Sequence, residues 1–251
     1  MIDPKNWREL QDDITTDALW ISSASTNNKP MFMIPKRDWK LANSSQFHGL
    51  FIPEIPYQFI RRFCPANGLV WDCFGGSGTT YRVVNYLNEN FKENYRLKIT
   101  DLNPTQDYIE YGDVCTYKLS ELADVVIYHP PYHNIVKYSD NPLDGSSFND
   151  YKDFLRWVES TADNIVPQIK LLGYLIIVCG NAYIDGEEID LGVYVKDIFR
   201  SRGMICKSHI IKDYGETKGT EGKNYNLNYY RQLRGGYNNF YGDNIFIVKK
   251  N

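Results

Sequence analysis

Short apolar runs punctuated by polar and glycine-rich breaks divide the chain, and their period changes along it. Leu69, Val70 and Trp71 form an unbroken apolar stretch ending at Asp72, which predicts a buried strand. A glycine-rich turn follows, and then Val83, Val84 and Leu87 at helical spacing. Residues 95–101 read as a second strand closed by an acid, and Pro104 suits the first turn of a helix after it. Residues 111–113 read as the end of a third short element, and residues 124–128 as another buried strand, ended by two prolines. Residues 134–149 are polar and loop-like. Residues 151–172 carry apolar positions near helical spacing, with Pro167 expected to bend or cap the helix. Residues 173–179 are the strongest buried strand, closed by Gly180 and Asn181. A helix over 191–202, ended by Gly203, precedes strands at 204–212 and 244–250.

The N-terminal part is less structured in pattern. Residues 6–20 read as a short helix, 22–30 as a polar loop, 31–34 as an apolar run and 36–40 as basic. Residues 48–56 form a proline-punctuated loop leading to a helix over 57–63.

Strands alternating with helices predict an α/β fold with a mostly parallel sheet covered on both faces. The last two strands have no helix between them, so an antiparallel hairpin at one edge is expected. We expect one domain over 1–251, with 1–44 an N-terminal extension and 213–243 an insertion that is a candidate nucleic-acid contact.

Composition narrows the class. The chain has 251 residues, 43% hydrophobic and 15% aromatic, enough for a sizeable core. No apolar run approaches the roughly 18 residues of a membrane span, and Met1 to Trp7 has no signal-peptide pattern. The five cysteines are scattered with no C-x-x-C pair, so neither a zinc site nor a disulfide framework is expected. A cytoplasmic protein with reduced core thiols is the expectation. Net charge is −3, yet residues 196–251 hold 11 Lys and Arg against 5 Asp and Glu. That asymmetry offers a positive face to a polyanion, or is simply a solvated surface.

In a doubly wound sheet, ligands sit at the carboxyl ends of the strands. Asp72, the glycine turn, Asp101, Asp113 and the stretch His129-Pro130-Pro131-Tyr132 all fall at such ends. Asp101 lies 23 residues after Gly78, a spacing at which an acid commonly binds ribose hydroxyls. These placements point to a nucleotide-like cofactor beside a reactive site.

Asp72-Cys73-Phe74-Gly75-Gly76-Ser77-Gly78-Thr79-Thr80 resembles the S-adenosylmethionine motif of the amino-type DNA methyltransferases, usually D-P-F-x-G-S-G-T-T. His129-Pro130-Pro131-Tyr132 resembles their catalytic D/N/S-P-P-Y motif, and residues 48–56 resemble the segment completing their cofactor pocket. The resemblance covers about residues 45–250. It implies a Rossmann-like class I methyltransferase sheet and methyl transfer from S-adenosylmethionine to N6 of adenine or N4 of cytosine in DNA. It implies cofactor contacts from Asp72, Phe74, Gly76, Ser77, Gly78, Thr79 and Thr80, ribose binding by Asp101 and adenine binding by Asp113. Asp113 as a turn acid and Phe74 as a core aromatic are the alternatives.

The catalytic residues implied are His129, Pro130, Pro131 and Tyr132. The amino lone pair of a base is delocalised into its ring. The Pro130 carbonyl and the His129 side chain would accept its N–H groups, while Tyr132 stacks on the flipped base. No metal is implied. Two residues depart from the pattern: Cys73 replaces Pro, and His129 replaces Asp, Asn or Ser. Neutral His can accept at one ring nitrogen; alternatively His129 only caps the strand. The target base stays open, as do an RNA substrate, a silent DNA-binding relative and the oligomeric state. Residues 137–149 and 214–241 are the candidate target-recognition segments; the second interleaves cations with aromatics, or is a plain hairpin loop.

Overall fold

A computed structural model describes residues 10, 14–20, 52–213, 233–236 and 242–251. The expectations for 21–47, and nearly all of the 214–241 segment, lie outside the described residues. So do 48–51 of the pocket segment.

Among the described residues the main elements succeed one another in this order. They are β1 (Leu19–Trp20), α1 (Glu54–Phe63), β2 (Leu69–Asp72), α2 (Thr79–Phe91), β3 (Arg96–Asp101), β4 (Glu110–Tyr111) and β5 (Ala123–Tyr128). Then come α3 (Tyr151–Ile165), β6 (Ile169–Cys179), β7 (Ala182–Ile184), β8 (Glu187–Ile189), α4 (Leu191–Ser201), β9 (Met204–Asp213) and β10 (Gly242–Lys250). Eight strands form one sheet in the order β1-β9-β10-β6-β5-β2-β3-β4. Every pairing in it is parallel except those of β10, which runs antiparallel to both β6 and β9.

The two faces follow from the period-two alternation of the central strands. Val70, Val125, Ile127, Ile176 and Val178 point to the face covered by α1 and α2, through Ile55, Phe59, Ile60, Val83, Val84 and Leu87. Trp71, Val126, Tyr128, Leu175 and Ile177 point to the other face, covered by α3 and α4 through Phe154, Val158, Ile165, Val195 and Phe199. Because both faces are buried, these strands read as unbroken apolar runs.

Three expectations need correction. The helix expected to reach residue 20 does not: Leu19–Trp20 is extended and pairs in parallel with Ile211 and Lys212. The open edge of β9 supplies a partner, with Ile211 N–H donating to the Ala18 carbonyl at 2.8 Å. The expected antiparallel pair is present at that end of the sheet: β10 runs antiparallel to β9 and to β6, and the two-residue β1 lies alongside β9. No helix follows Pro104; turns carry the chain to β4. The helix over 151–172 stops at Ile165, because Pro167 has no N–H to extend it; a 3-10 turn, Val166–Gln168, leads straight into β6. The small β7–β8 hairpin adds to the expected elements. Its two-residue turn, Asp185-Gly186, has φ of 53° and 85°, the left-handed pair that Asp-Gly favours.

Candidate functional site

The chain runs outward from β2 to β3 and β4, then returns to pair β5 on the other side of β2. The strand order therefore reverses between β2 and β5, where ligands of doubly wound sheets bind. The glycine turn leaves the carboxyl end of β2. His129-Pro130-Pro131-Tyr132 leaves the carboxyl end of β5. The two strands are adjacent, Asp72 pairing with Ile127, and Cys73 N–H donates to the Ile127 carbonyl. Two stretches more than 50 residues apart thus open side by side.

Asp72 is 1% exposed. Its carboxylate accepts from the Phe74 N–H at 3.1 Å and from the Thr80 hydroxyl, tying the strand end to the start of α2. Burial pushes its pKa up to about 7 against these two hydrogen bonds. Asp72 thus braces the turn from inside. Gly76 and Gly78 adopt φ of 49° and 82°. A Cβ on Gly78 would come within 2.4 Å of the Tyr108 hydroxyl, and one on Gly75 within 2.4 Å of Ile99. Gly75, which stands at the variable motif position, is therefore as sterically constrained as its neighbours.

Asp101 lies against the turn. Its carboxylate accepts from the Gly76 N–H at 2.8 Å and the Asn103 N–H at 2.8 Å. Burial raises its pKa, opposed by these backbone donors. An ionised carboxylate has about four lone-pair sites, so acceptor capacity remains for a ligand hydroxyl. Ser77 Oγ is buried without a hydrogen-bond partner among the described residues. An orphaned hydroxyl, backbone held open by glycines, a helix N-terminus at Thr79 and an acid at the next strand tip fit a polar nucleoside ligand.

Other expected residues have different surroundings. Phe74 packs edge-on against Tyr128 at 5.2 Å and tilted against Trp157 at 6.1 Å, as a flank of the core. Asp113 accepts from the Cys115 N–H at 2.9 Å and the Thr116 hydroxyl at 3.2 Å, closing its own turn. Thr79 and Thr80 open α2, Thr80 facing Asp72.

Around β5, Pro130 is buried while His129, Pro131 and Tyr132 are half-buried. His129 Nε2 lies 3.0 Å from the Tyr132 hydroxyl, which donates to Asp243 Oδ1 at 3.1 Å. Lys212 Nζ stands 3.9 Å from Asp243 Oδ2. Desolvation, and then the Lys212 charge, push the His129 pKa down to about 4, so the ring is neutral at pH 7. Next to this loop, His133 has φ 55° and both ring nitrogens buried without partners among the described residues.

The sequence did not single out Tyr108, Thr105, Lys212 or Asp243. Tyr108 stacks on Tyr81 at 3.8 Å over Gly78, and the Thr105 hydroxyl donates to the Gly76 carbonyl. Lys212 and Asp243 face each other in the β9–β10 register. Opposite charges at the facing ends of two strands expected to pair were the available signal.

All five cysteines are free. Burial raises the Cys73 and Cys179 thiols far above their ordinary value and Cys115 to about 12, so these three stay protonated and are poor nucleophiles. Among the described residues no His, Cys, Asp and Glu cluster could hold a metal, and no helix is long and apolar enough to cross a membrane.

The chain matches no protein-family model and no curated protein sequence. Solved structures resemble it in fold. TrmN from Thermus thermophilus superposes with a TM-score of 0.50 at 10% identity, over 80% of this chain and 49% of that one. The chain thus spans about half the length of TrmN. A TehB-like SAM-dependent methyltransferase from Corynebacterium glutamicum gives a TM-score of 0.44 at 16% identity, over 78% and 87% of the two chains. A candidate DNA modification methylase, also from Thermus thermophilus, gives 0.36 at 16% identity, over 55% and 48%. With the sheet order and the two covered faces, the chain has the Rossmann-like fold of the class I methyltransferases.

Proposed function

We propose that the chain is an S-adenosylmethionine-dependent methyltransferase that modifies an exocyclic amino group of a DNA base, N6 of adenine or N4 of cytosine. The observation carrying this reading is the adjacency of β2 and β5, which sets the glycine turn beside His129-Pro130-Pro131-Tyr132 at the switch point. The residues around Ser77 fit the cofactor: Asp101 accepts from a ribose hydroxyl, and the Gly76–Thr79 backbone lines the cradle. When bound, S-adenosylmethionine supplies a methyl group on a positively charged sulfur.

The chain's own contribution is positioning and hydrogen bonding. Pro130 and Pro131 stiffen the backbone, so that the Pro130 carbonyl keeps one orientation. That carbonyl and the neutral His129 ring accept the two N–H groups of the base, returning electron density to its nitrogen. The Tyr132 ring offers a face for an extruded base. No cysteine nucleophile is needed, in keeping with the raised thiol pKa values. The excess of Lys and Arg over residues 196–251 supplies phosphate contacts.

The test is methyl incorporation from methyl-labelled S-adenosylmethionine into double-stranded DNA, single-stranded DNA and RNA, followed by base analysis. Label recovered as N6-methyladenine or N4-methylcytosine from DNA is expected. Label in RNA alone replaces DNA as the substrate. Tight DNA binding with no transfer, and no heat of cofactor binding, makes the chain a silent reader.

A further inference from the structure

We infer that Thr105, which lies outside the glycine turn, is a positioning residue for cofactor binding. Its hydroxyl holds the Gly76–Ser77 peptide in the orientation that presents the Ser77 N–H to the ligand. The clamp itself stands on geometry; its use rests on the cofactor cradle proposed above.

From Gly75 to Gly78, all backbone N–H and carbonyl groups but the Ser77 N–H have a partner among the described residues. The Gly75 N–H donates to the Thr100 carbonyl at 2.9 Å, and the Gly78 N–H donates to the Gly75 carbonyl at 2.7 Å. The Gly76 N–H goes to Asp101 at 2.8 Å, and the Gly76 carbonyl accepts from the Thr105 hydroxyl at 2.6 Å. Arg82 Nη2 donates to the Ser77 carbonyl at 2.9 Å, and the Arg82 N–H to the Gly78 carbonyl at 3.3 Å. Ser77 therefore keeps two polar groups without a partner among the described residues, its N–H and its buried hydroxyl. Such groups on one residue, just before the N-terminus of α2, suit an acceptor oxygen of a polar ligand.

Glycine at 76 leaves this orientation to hydrogen bonding. With φ of 49° and no Cβ, Gly76 lets the peptide after it rotate with little steric resistance. In a trans peptide the carbonyl and the following N–H point opposite ways. Thr105 draws the Gly76 carbonyl to its own side, so the Ser77 N–H points to the other. A flipped peptide would offer the ligand a carbonyl where it needs a donor. The clamp is stiff because Asp101 and Thr105 grip Gly76 at both ends from one short span. Within that span the Asn103 N–H is tied to Asp101 at 2.8 Å and Pro104 has a fixed φ. Further along, Tyr108 and Ile109 lie against the same turn. A Cβ on Gly78 would meet the Tyr108 hydroxyl at 2.4 Å, and one on Gly75 would meet Ile109 at 3.0 Å. Residues 103–109 thus cover one side of the turn, and the ligand approaches from the side to which the Ser77 N–H points.

The test compares the full-length wild type with Thr105→Val, which keeps the shape and loses the hydroxyl, and Thr105→Ser, which keeps the hydroxyl. Thr105 is exposed, so all three are expected to unfold at closely similar temperatures. In 13C,15N-labelled protein without ligand, the HNCO peak of the Ser77 amide reads the Gly76 carbonyl carbon. Thr105→Val is expected to shift that carbon out of its hydrogen-bonded position, and Thr105→Ser to leave it there. A carbonyl unmoved in Thr105→Val overturns the clamp. Isothermal titration with S-adenosylmethionine is expected to show binding weakened roughly 3- to 10-fold in Thr105→Val, the worth of one hydrogen bond, and wild-type affinity in Thr105→Ser. Wild-type affinity in Thr105→Val with the carbonyl moved, or a Thr105→Ser variant as weak as Thr105→Val, overturns the positioning role. If the carbonyl responds as expected but the wild type gives no heat with S-adenosylmethionine, the cradle reading fails and the positioning role with it, while the clamp stands.

Discussion

Replacing Asp72 with Asn separates the charge of this residue from its shape. The carboxyl is 1% exposed, and burial lifts its pKa from 3.8 to about 7. A folded-state pKa above the unfolded one means that the fold binds the proton more tightly than the unfolded chain does. The native state is thus favoured most below pH 3.8 and loses that advantage as pH climbs through about 7. The full difference corresponds to about 4 kcal/mol above pH 7. Asn keeps an acceptor for one of the two donors, and the Thr80 hydroxyl can turn to accept from the amide. The expected lost hydrogen bonding is therefore about 1 kcal/mol. Urea unfolding of both proteins, followed by tryptophan fluorescence at pH 5, 6, 7 and 8, reads the difference directly. At pH 5 the two should agree to within about 1 kcal/mol. By pH 8 the Asp72→Asn variant should be the more stable, by about 3 kcal/mol once its lost hydrogen bonding is subtracted. Comparing the pair cancels the pH dependence of every other group. A stability difference that stays flat from pH 5 to 8 would refute the reasoning, because Asp72 would then ionise like an exposed carboxylate.

Other perturbations have outcomes set by the same geometry. Gly78→Val places a branched side chain at φ 82° against Tyr108, costing at least about 1–2 kcal/mol in backbone strain. Calorimetry should show no S-adenosylmethionine binding by a variant that circular dichroism shows to be folded. His129 titrates in the opposite sense to Asp72. Its folded pKa of about 4 lies below the unfolded 6.5, so its contribution is complete above pH 6.5 and lost as pH falls toward 4. The wild type should therefore lose on the order of 3 kcal/mol relative to His129→Gln between pH 7 and pH 4; equal losses in urea unfolding would contradict this.

What the sequence displayed was whatever depends on local pattern. β2, β5 and β6 are apolar runs because both faces of the sheet are covered, and the β2–α2 connection is marked by its glycines. What it hid depends on contacts distant in the chain. Leu19 and Trp20 are strand because β9 offers them an edge, and half-buried Phe74 flanks the core because Trp157 and Tyr128 converge on it. Asp72 ends β2 where the pattern puts it, and its hydrogen bonds to Phe74 and Thr80 are local ones. The β7–β8 hairpin is marked by Asp185-Gly186, but strands of only three residues each leave little alternation to read. The Lys212–Asp243–Tyr132–His129 chain was not legible, since it joins three strands whose order in the sheet no local pattern gives.

Isothermal titration of S-adenosylmethionine into the wild type and Asp101→Ala tests most directly whether the turn after β2 is a cofactor cradle. Saturable one-to-one heat in the wild type, lost in a folded Asp101→Ala variant, is the predicted result. No heat in the wild type, or the same affinity without the Asp101 carboxylate, would contradict it.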